Sequence, residues 1–186
     1  MTAVDPGWVR PEPGWVCPEC GFDFDACRVA EAPGVVRSFA RRYRIPLTRG
    51  LPGEDLDALV RTRPPSGGWS ALEYACHVRD ALALYDFRIA TVLAEDRPVL
   101  PPMNRDQLAI DEDYNGQDRA RVADELGRAA DGLAARIESV APEALARVGR
   151  RDGWEMTVDW MAHNAVHEGE HHLVDVARAL RAARGR

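Results

Sequence analysis

The stretch from Thr157 to Arg184 constrains the fold more than any other part of the chain. It keeps apolar side chains at helical spacing, and arginines gather near its end, where they oppose the negative pole of a helix dipole. A helix of this length must bury its apolar stripe against other elements. The segment therefore predicts an architecture of packed helices.

Further helical segments supply the partners for this helix. They are predicted over residues 34–44, 54–63, 70–95 and 118–139. Ser70 and Glu73 form the pattern of a capping box, and Pro46 is expected to end the first helix. Residues 97–117 are rich in proline and are expected to form a loop. No run alternates long enough to predict a strand, so we expect an all-α protein, a four-helix bundle.

The composition argues against two classes of partner. The chain has 30 Asp and Glu residues against 24 Lys and Arg residues, a formal net charge of −6, and lacks the positive field that neutralises phosphates. No apolar run approaches the roughly 20 residues of a membrane helix, and residues 1–16 do not resemble a signal peptide. We therefore expect a cytoplasmic location, with no nucleic-acid or membrane partner.

Residues 1–33 differ in composition from the rest of the chain. The prolines and glycines of PGWVRPEPGW disfavour regular structure, and they lead into Cys17-Pro18-Glu19-Cys20-Gly21, which has the sequence of a zinc knuckle. The chain is therefore divided into an N-terminal extension, residues 1–33, and a helical bundle, residues 34–186.

The cysteine turn predicts a structural metal site with one ligand missing. Cys17 and Cys20 have the spacing of zinc ligands, and Cys27 is expected to be the third. The fourth would come from an acid, Asp23 or Asp25, or from a partner chain. A reversible disulfide and free thiols are the alternative interpretations.

The last predicted helix carries four of the five histidines. At about 100° per residue, Glu168 and His172 fall on the apolar stripe that faces the bundle. His163 and His167 fall on the opposite face, which is expected to meet solvent, and His171 falls on a flank. A buried carboxylate and a buried imidazole are costly without partners, and a metal ion satisfies both. The alternative is an ordinary hydrogen-bonded core pair.

A metal held by this pair needs a third ligand from another helix. His77, the remaining histidine, lies in the middle of the helix predicted over residues 70–95. Together with Glu168 and His172 it would form a two-histidine, one-carboxylate set. Three protein ligands with an open position are typical of catalytic zinc or non-haem iron.

Two motifs carry a resemblance to a known family. They are Trp69-Ser70-x-x-Glu73-x-x-x-His77-x-x-Asp80 and Glu168-x-x-x-His172-x-x-Asp175-Val176. Over residues 35–184 the chain resembles the DinB-like (DinB/YfiT) superfamily of metal-binding four-helix bundles, which includes mycothiol-dependent maleylpyruvate isomerases and thiol S-transferases. That superfamily usually has histidine where this chain has Glu168, and the maleylpyruvate isomerase branch is similar to this chain in having glutamate there.

The resemblance implies that His77, Glu168 and His172 bind a divalent metal, usually zinc. It also implies that the metal holds a low-molecular-weight thiol, such as mycothiol, as a thiolate. The expected function is therefore that of a metal-dependent thiol S-transferase or isomerase acting on a small electrophilic substrate.

Four other residues are expected to serve this site. Asp80 and Asp175, one turn after the two histidines, would orient the ligands, unless they form ordinary salt bridges. Arg88, on the face of His77, would bind carboxylates of the thiol or substrate, unless it faces solvent or is salt-bridged. Tyr114, in the long loop, would cover the site, unless it packs in the core.

Two other functions stay open at this point. In one, the chain is a non-catalytic metal-binding module for stress or redox responses, which senses through its N-terminal cysteines. In the other, the bundle holds a structural metal with no open coordination position. Because dimers are common among helical bundles of this size, a homodimer is also an expectation.

Overall fold

The structure is a computed structural model that describes residues 14–151 and 153–185. Within these residues the α-helices are α1 (Ala32–Thr48), α2 (Leu56–Arg61), α3 (Ala71–Ala94), α4 (Arg105–Asp111), α5 (Arg119–Glu138) and α6 (Val158–Ala183). Strands β1 (Val148–Arg151) and β2 (Trp154–Thr157) pair antiparallel.

The four long helices α1, α3, α5 and α6 form the bundle. Both α5 and α6 pack against α1 and also against α3. The helices therefore follow one another around the bundle in the order α1, α5, α3, α6. Their buried apolar faces form a single core, which confirms the predicted helical bundle. The interface between α3 and α6 brings the two sequence motifs together.

The N-terminal caps fix where these helices begin. In α3 the capping box is complete, because Ser70 Oγ accepts from the Glu73 N–H at 3.2 Å and Glu73 Oε2 accepts from the Ser70 N–H at 2.8 Å. The side chain of Asp118 caps α5, and that of Thr157 caps α6. The predicted starts of these three helices are thus confirmed, and with them the faces that their side chains occupy.

Helix α1 differs from its prediction, because it continues through Pro46 to Thr48. A proline removes only the hydrogen bond of its own nitrogen, and the next N–H groups still bond: Arg49 N–H donates to the Ile45 carbonyl at 2.9 Å. Leu47, just beyond the proline, is fully buried. Core packing therefore holds the last turn in place.

The segment 97–117 is more ordered than an open loop. Helix α4 lies within it, followed by a 3₁₀ turn at Tyr114–Gly116. Its prolines, at positions 98, 101 and 102, restrict the backbone conformation only in the first part of the segment. Beyond them, Ala109 is buried against the core, so packing supports a short helix there.

The hairpin of β1 and β2 was not expected from the sequence. Each strand has only four residues, which is too short for an alternating pattern to be recognised. Residues 98–100 run beside β1, where the Leu100 N–H donates to the Arg150 carbonyl at 2.8 Å. The hairpin leads directly into the N-cap of α6.

Residues 14–31, here called the N-terminal segment, lie against the outer face of α6. The rings of Phe22 and Phe24 are each 5.3 Å from the His167 ring, between centroids, and the Trp15 ring is 5.9 Å away. His167 is consequently only 2% exposed. The expectation that it faces solvent is therefore wrong. His163, expected on the same face, is partly covered rather than fully exposed.

Helices α1 and α6 lie in close contact at Gly169. A Cβ atom at this position would clash with the ring of Phe39 on α1. The Tyr43 hydroxyl, one turn further along α1, donates to the Gly169 carbonyl at 2.7 Å. The absence of a side chain at 169 therefore sets the spacing between the two helices.

The N-terminal segment packs directly on the bundle, and α1 begins at Ala32, close to the expected boundary at residue 33. The division of the chain at that boundary stays a prediction. Among the helices that the structure describes, none combines the length and the apolar character needed to cross a membrane.

Candidate metal centres

The interface between α3 and α6 brings His77, Glu168 and His172 together. Glu168 Oε2 lies 3.3 Å from His77 Nε2 and 3.3 Å from His172 Nε2. One potential ligand atom from each residue lies within 4.8 Å of the others. The wheel of α6 and the single histidine of α3 had indicated this set, which we call the inner group.

The inner group is buried in the bundle. His77, Glu168 and His172 are 3%, 7% and 9% exposed. The Trp69 ring lies 5.3 Å from that of His77, and the Tyr74 ring stacks on His172 at 5.4 Å, between centroids. These aromatic rings close one side of the group to water.

Asp175 contacts one of the inner histidines. Its Oδ2 atom lies 2.9 Å from His172 Nδ1, which leaves His172 Nε2 directed at Glu168. A carboxylate on the outer nitrogen is the usual support of a metal-ligating histidine. Burial alone would lower the pKa of His172, but hydrogen bonds to Asp175 and Glu168 raise it to about 9.

Glu168 is held as an anion at the centre of the inner group. Burial alone would raise its pKa, but hydrogen bonds from His172 and His77, together with their charges, hold the pKa well below its usual range. Burial lowers the pKa of His77, which favours the neutral imidazole that a metal needs. Two imidazole nitrogens around a carboxylate oxygen are a donor set that suits a divalent transition metal.

A cavity opens beside the inner group. The space in and in front of it that no protein atom fills is about 540 Å³, part of which is open solvent. It is lined by His77, Ala81, Leu84, Tyr85, Arg88, Met103, Arg105, Arg151, Met156, Trp160, Asn164 and Glu168. Two of the three inner residues thus reach the cavity wall, and three arginines add positive charge to a lining that is about half polar and half apolar.

Arg88 lies in the cavity wall, where the sequence had placed it. It is 1% exposed, donates to the Pro101 carbonyl and stacks its guanidinium over the Tyr85 ring. The alternative that Arg88 faces solvent is therefore wrong. Arg105 and Arg151 had not been singled out, because neither belongs to a motif, and only the fold brings them to the cavity.

Asp80 and Tyr114 lie away from the inner group. The Tyr114 hydroxyl donates to Asp80 Oδ2, and Arg79 Nε donates to Asp80 Oδ1 at 2.7 Å. Tyr114 is fully buried and is absent from the cavity wall. The expectations that Asp80 orients His77 and that Tyr114 covers the site are therefore contradicted. The reason is that the Asp80 carboxylate accepts hydrogen bonds from Tyr114 and Arg79 instead.

A second group of metal-ligating side chains lies on the outer face of α6. It joins Cys17 and Cys20 to His167 and His171, with one potential ligand atom from each within 4.8 Å of the others. We call this the outer group. Burial lowers the pKa of His167 to about 4. Burial also raises the pKa of the Cys20 thiol to about 11, and the adjacent Cys17 contributes to the shift.

The structure does not place Cys27 in the outer group. Burial raises the pKa of Cys27, and the charges of Glu31 and Asp159 add to the shift. The proposed acids are also engaged elsewhere. Asp23 Oδ1 accepts from the Asp25 N–H, and Asp25 Oδ2 accepts from Gly14.

The expected three-cysteine site with an acidic fourth ligand is thus replaced by two cysteines and two histidines. His167 and His171 stand at i, i+4 spacing, which was a visible signal on one helix face. Solvent exposure was assumed for that face because the N-terminal segment has no periodic pattern to show where it packs.

A four-helix bundle with a buried group of potential metal ligands is typical of metal-binding helical proteins. The sequence profile of the DinB superfamily matches residues 40–174, and the chain belongs to that superfamily. The profile begins after the N-terminal segment. No curated protein sequence matches the chain.

A solved structure, that of YfiT from Bacillus subtilis, has the same fold. The likeness covers 84% of this chain and 87% of that chain, with a TM-score of 0.75 and 15% sequence identity. YfiT is described as "a probable metal-dependent hydrolase with an unusual four-helix bundle topology". At this identity the likeness shows the fold.

Proposed function

We propose that the chain is a zinc-dependent enzyme that joins a low-molecular-weight thiol to a small anionic electrophile, as an S-transferase or a thiol-dependent isomerase. The observation that carries this proposal is the position of the inner group. Three buried ligand atoms lie together, and His77 and Glu168 reach the wall of a cavity. Three ligands beside an open space are the arrangement of a catalytic rather than a closed structural site.

The inner residues have distinct tasks in this proposal. His77, Glu168 and His172 would hold the cation, which favours the thiolate form of a thiol and the hydroxide form of water. Asp175 keeps the His172 ring in its ligating orientation through the 2.9 Å contact. The Trp69 and Tyr74 rings keep water from the far side of the group, which strengthens charge interactions inside it.

The cavity arginines support an anionic substrate or thiol. Arg88, Arg105 and Arg151 line the same cavity as His77, and guanidinium groups match carboxylates in geometry and charge. Met103, Met156 and Leu84 supply apolar wall between them. A small molecule with a carboxylate and an apolar body therefore fits this lining.

A hydrolase is the second candidate function. It is favoured by the fold shared with YfiT and by the description of that protein, and it needs only water as the nucleophile. The inner group serves both reactions, so the nucleophile separates them. Thiol-dependent turnover supports the first proposal, and turnover without thiol supports the second.

A substrate panel tests both proposals. Purified protein loaded with zinc is mixed with mycothiol or other small thiols and with electrophiles that carry a carboxylate or its neutral amide. We expect turnover that needs both metal and thiol and that prefers the carboxylates. Ester hydrolysis without thiol is measured in parallel, and no turnover in any arm would favour the non-catalytic module.

Variants connect this activity to the inner group. His77→Ala with His172→Ala should remove the inner metal and the activity together. His163→Ala is the matched control, because it changes a histidine of α6 outside the inner group. Equal metal content at the inner group in the double variant and the parent protein would contradict the assignment.

A further inference from the structure

We propose that the outer group is a second metal site, in which Cys17, Cys20, His167 and His171 together hold one zinc ion. Nothing in the activity proposed above requires this site, and the DinB profile begins after the cysteines. The proposal depends on the meeting of the N-terminal segment with the outer face of α6.

The separations of the ligand atoms suit tetrahedral zinc. Cys17 Sγ lies 3.5 Å from His171 Nδ1. With Zn–S near 2.3 Å and Zn–N near 2.0–2.1 Å, a sulfur and a nitrogen at two corners of a tetrahedron are about 3.5 Å apart. The four potential ligand atoms all lie within 4.8 Å of one another, so shifts on the order of 1 Å would complete the site.

A tight turn presents the two sulfurs. The Cys17 N–H donates to the Phe22 carbonyl at 2.8 Å, and the Gly21 N–H donates to the Cys17 carbonyl at 2.8 Å. Gly21 has a φ of 74°, a left-handed conformation that glycine adopts without strain. These bonds form the turn of the knuckle, so the backbone positions the two cysteines.

The outer group is closed, unlike the inner group. Cys17 and His167 are buried, and the rings of Trp15, Phe22 and Phe24 pack around His167. Four protein ligands under an aromatic cover leave no position for a substrate, which is the pattern of a structural zinc site. Two thiolates, two neutral imidazoles and Zn²⁺ also sum to zero charge, which suits a buried site.

The second nitrogen of His171 supports its ligand role. Since His171 Nδ1 faces Cys17, its Nε2 faces Asp175 Oδ2 at 3.6 Å. Asp175 is the same residue that contacts His172 Nδ1 of the inner group. A zinc ion here would fasten the N-terminal segment to α6 and would lie one side chain away from the inner group.

Metal content and cobalt spectra of the full-length protein test the proposal. We expect two zinc ions per chain after loading. Replacement by cobalt should give a thiolate-to-cobalt charge-transfer band in the near ultraviolet. The inner group contains no sulfur, so this band reports the outer group alone.

Single variants test the ligand set. Cys20→Ser should lower the zinc content from two ions to one and abolish the band, whereas the matched control Cys27→Ser should keep both. His171→Asn should abolish the band while both cysteines remain. Far-ultraviolet circular dichroism shows whether each variant folds. If a variant does not fold, the zinc content and the cobalt spectrum of the wild-type protein still test the proposal.

Several results would overturn the proposal. A cobalt-loaded wild-type protein without the charge-transfer band would do so, as would loss of the band in Cys27→Ser. A metal-free protein with a stoichiometric Cys17–Cys20 disulfide, seen as a mass two hydrogens lower, would also do so. The double variant His77→Ala, His172→Ala should keep the band. The band therefore still tests the outer group if the proposed enzyme function is wrong.

Discussion

The inner and outer groups use the same spacing on the same helix but differ in almost every other respect. Glu168 and His172 form an i, i+4 pair, and His167 with His171 forms another, offset by one residue. That offset turns the second pair by about 100°. One pair therefore meets α3 inside the bundle, and the other meets the N-terminal segment outside it.

The surroundings of each pair determine what it can do. The inner pair gains one imidazole from α3 and borders a cavity lined by arginines, so it has room for a small molecule. The outer pair meets two cysteines and a cover of aromatic rings, so it has none. Ligand spacing along a helix thus predicts a metal site, whereas the partner element determines whether that predicted site is open or closed.

The largest expected effect separates the two groups by activity. His77→Ala with His172→Ala should lower turnover by at least about a hundredfold, because even residues that only orient ligands contribute 10–100-fold. Cys20→Ser should leave turnover within about tenfold of the parent. Steady-state rates with the best thiol and electrophile measure both. Similar losses in the two variants would mean that the groups do not divide function as proposed.

The next effect concerns the residue that touches both groups. Asp175→Asn keeps the shape of the side chain but removes its charge, so we expect metal affinity to fall about 10–100-fold at both groups. Competition with a chelator measures the inner affinity, and the cobalt–thiolate band reports the outer one. Asp159→Asn, beside His163 on the same helix, is the control. A loss confined to one group would show that Asp175 supports that group alone.

A smaller effect is expected in stability, and it concerns the outer group. At a zinc concentration a hundredfold above its dissociation constant, binding adds about 2.7 kcal/mol to the free energy of unfolding. For a chain of this size, that is a rise of about 5–11 °C in Tm. Cys20→Ser should lose this rise, and Cys27→Ser should keep it. Thermal unfolding with and without zinc, in the double variant His77→Ala, His172→Ala, isolates the outer contribution. An equal rise in both cysteine variants would contradict it.

The smallest expected effect concerns the opening of the inner group. Arg105 is half-buried in the cavity wall, and a partly exposed ion pair contributes about 1 kcal/mol. Arg105→Gln should therefore raise KM for a carboxylate substrate roughly fivefold, with kcat little changed. Arg128→Gln, on the exposed face of α5, should leave KM unaltered. An equal change in KM for the neutral amide substrate would argue against a charge interaction.

Much of the inner group followed from the sequence, because the helical period alone decides which residues of α6 face inwards. Glu168 and His172 were separated from the neighbouring histidines in this way, and His77 was the single histidine left to join them. The capping box at Ser70 likewise predicted the start of α3. These features depend on local geometry, which a sequence expresses directly.

The outer group and the cavity could not be predicted from the sequence, because both depend on contacts between distant segments. His167 was assigned to solvent, since nothing periodic shows that the N-terminal segment packs there. Arg105 and Arg151 reach the cavity from α4 and β1, and neither short element has a pattern that indicates its direction. Asp80 misled for the opposite reason: its position one turn after His77 suited a support role, but its carboxylate instead accepts hydrogen bonds from Tyr114 and Arg79.

Gly169 lies within the span of both residue pairs of α6, 167/171 and 168/172, and has a consequence for how the protein tolerates mutation. Alanine normally improves a helix by about 1 kcal/mol relative to glycine. Here its methyl group would meet the Phe39 ring, and overpacking of a core typically costs 1–3 kcal/mol. The added methyl would push α6 away from α1 and displace residues 167–172 as a unit. A substitution outside the inner and outer groups would thus disturb both of them at once, so natural variation at this position should be far narrower than at the exposed residues of the same helix.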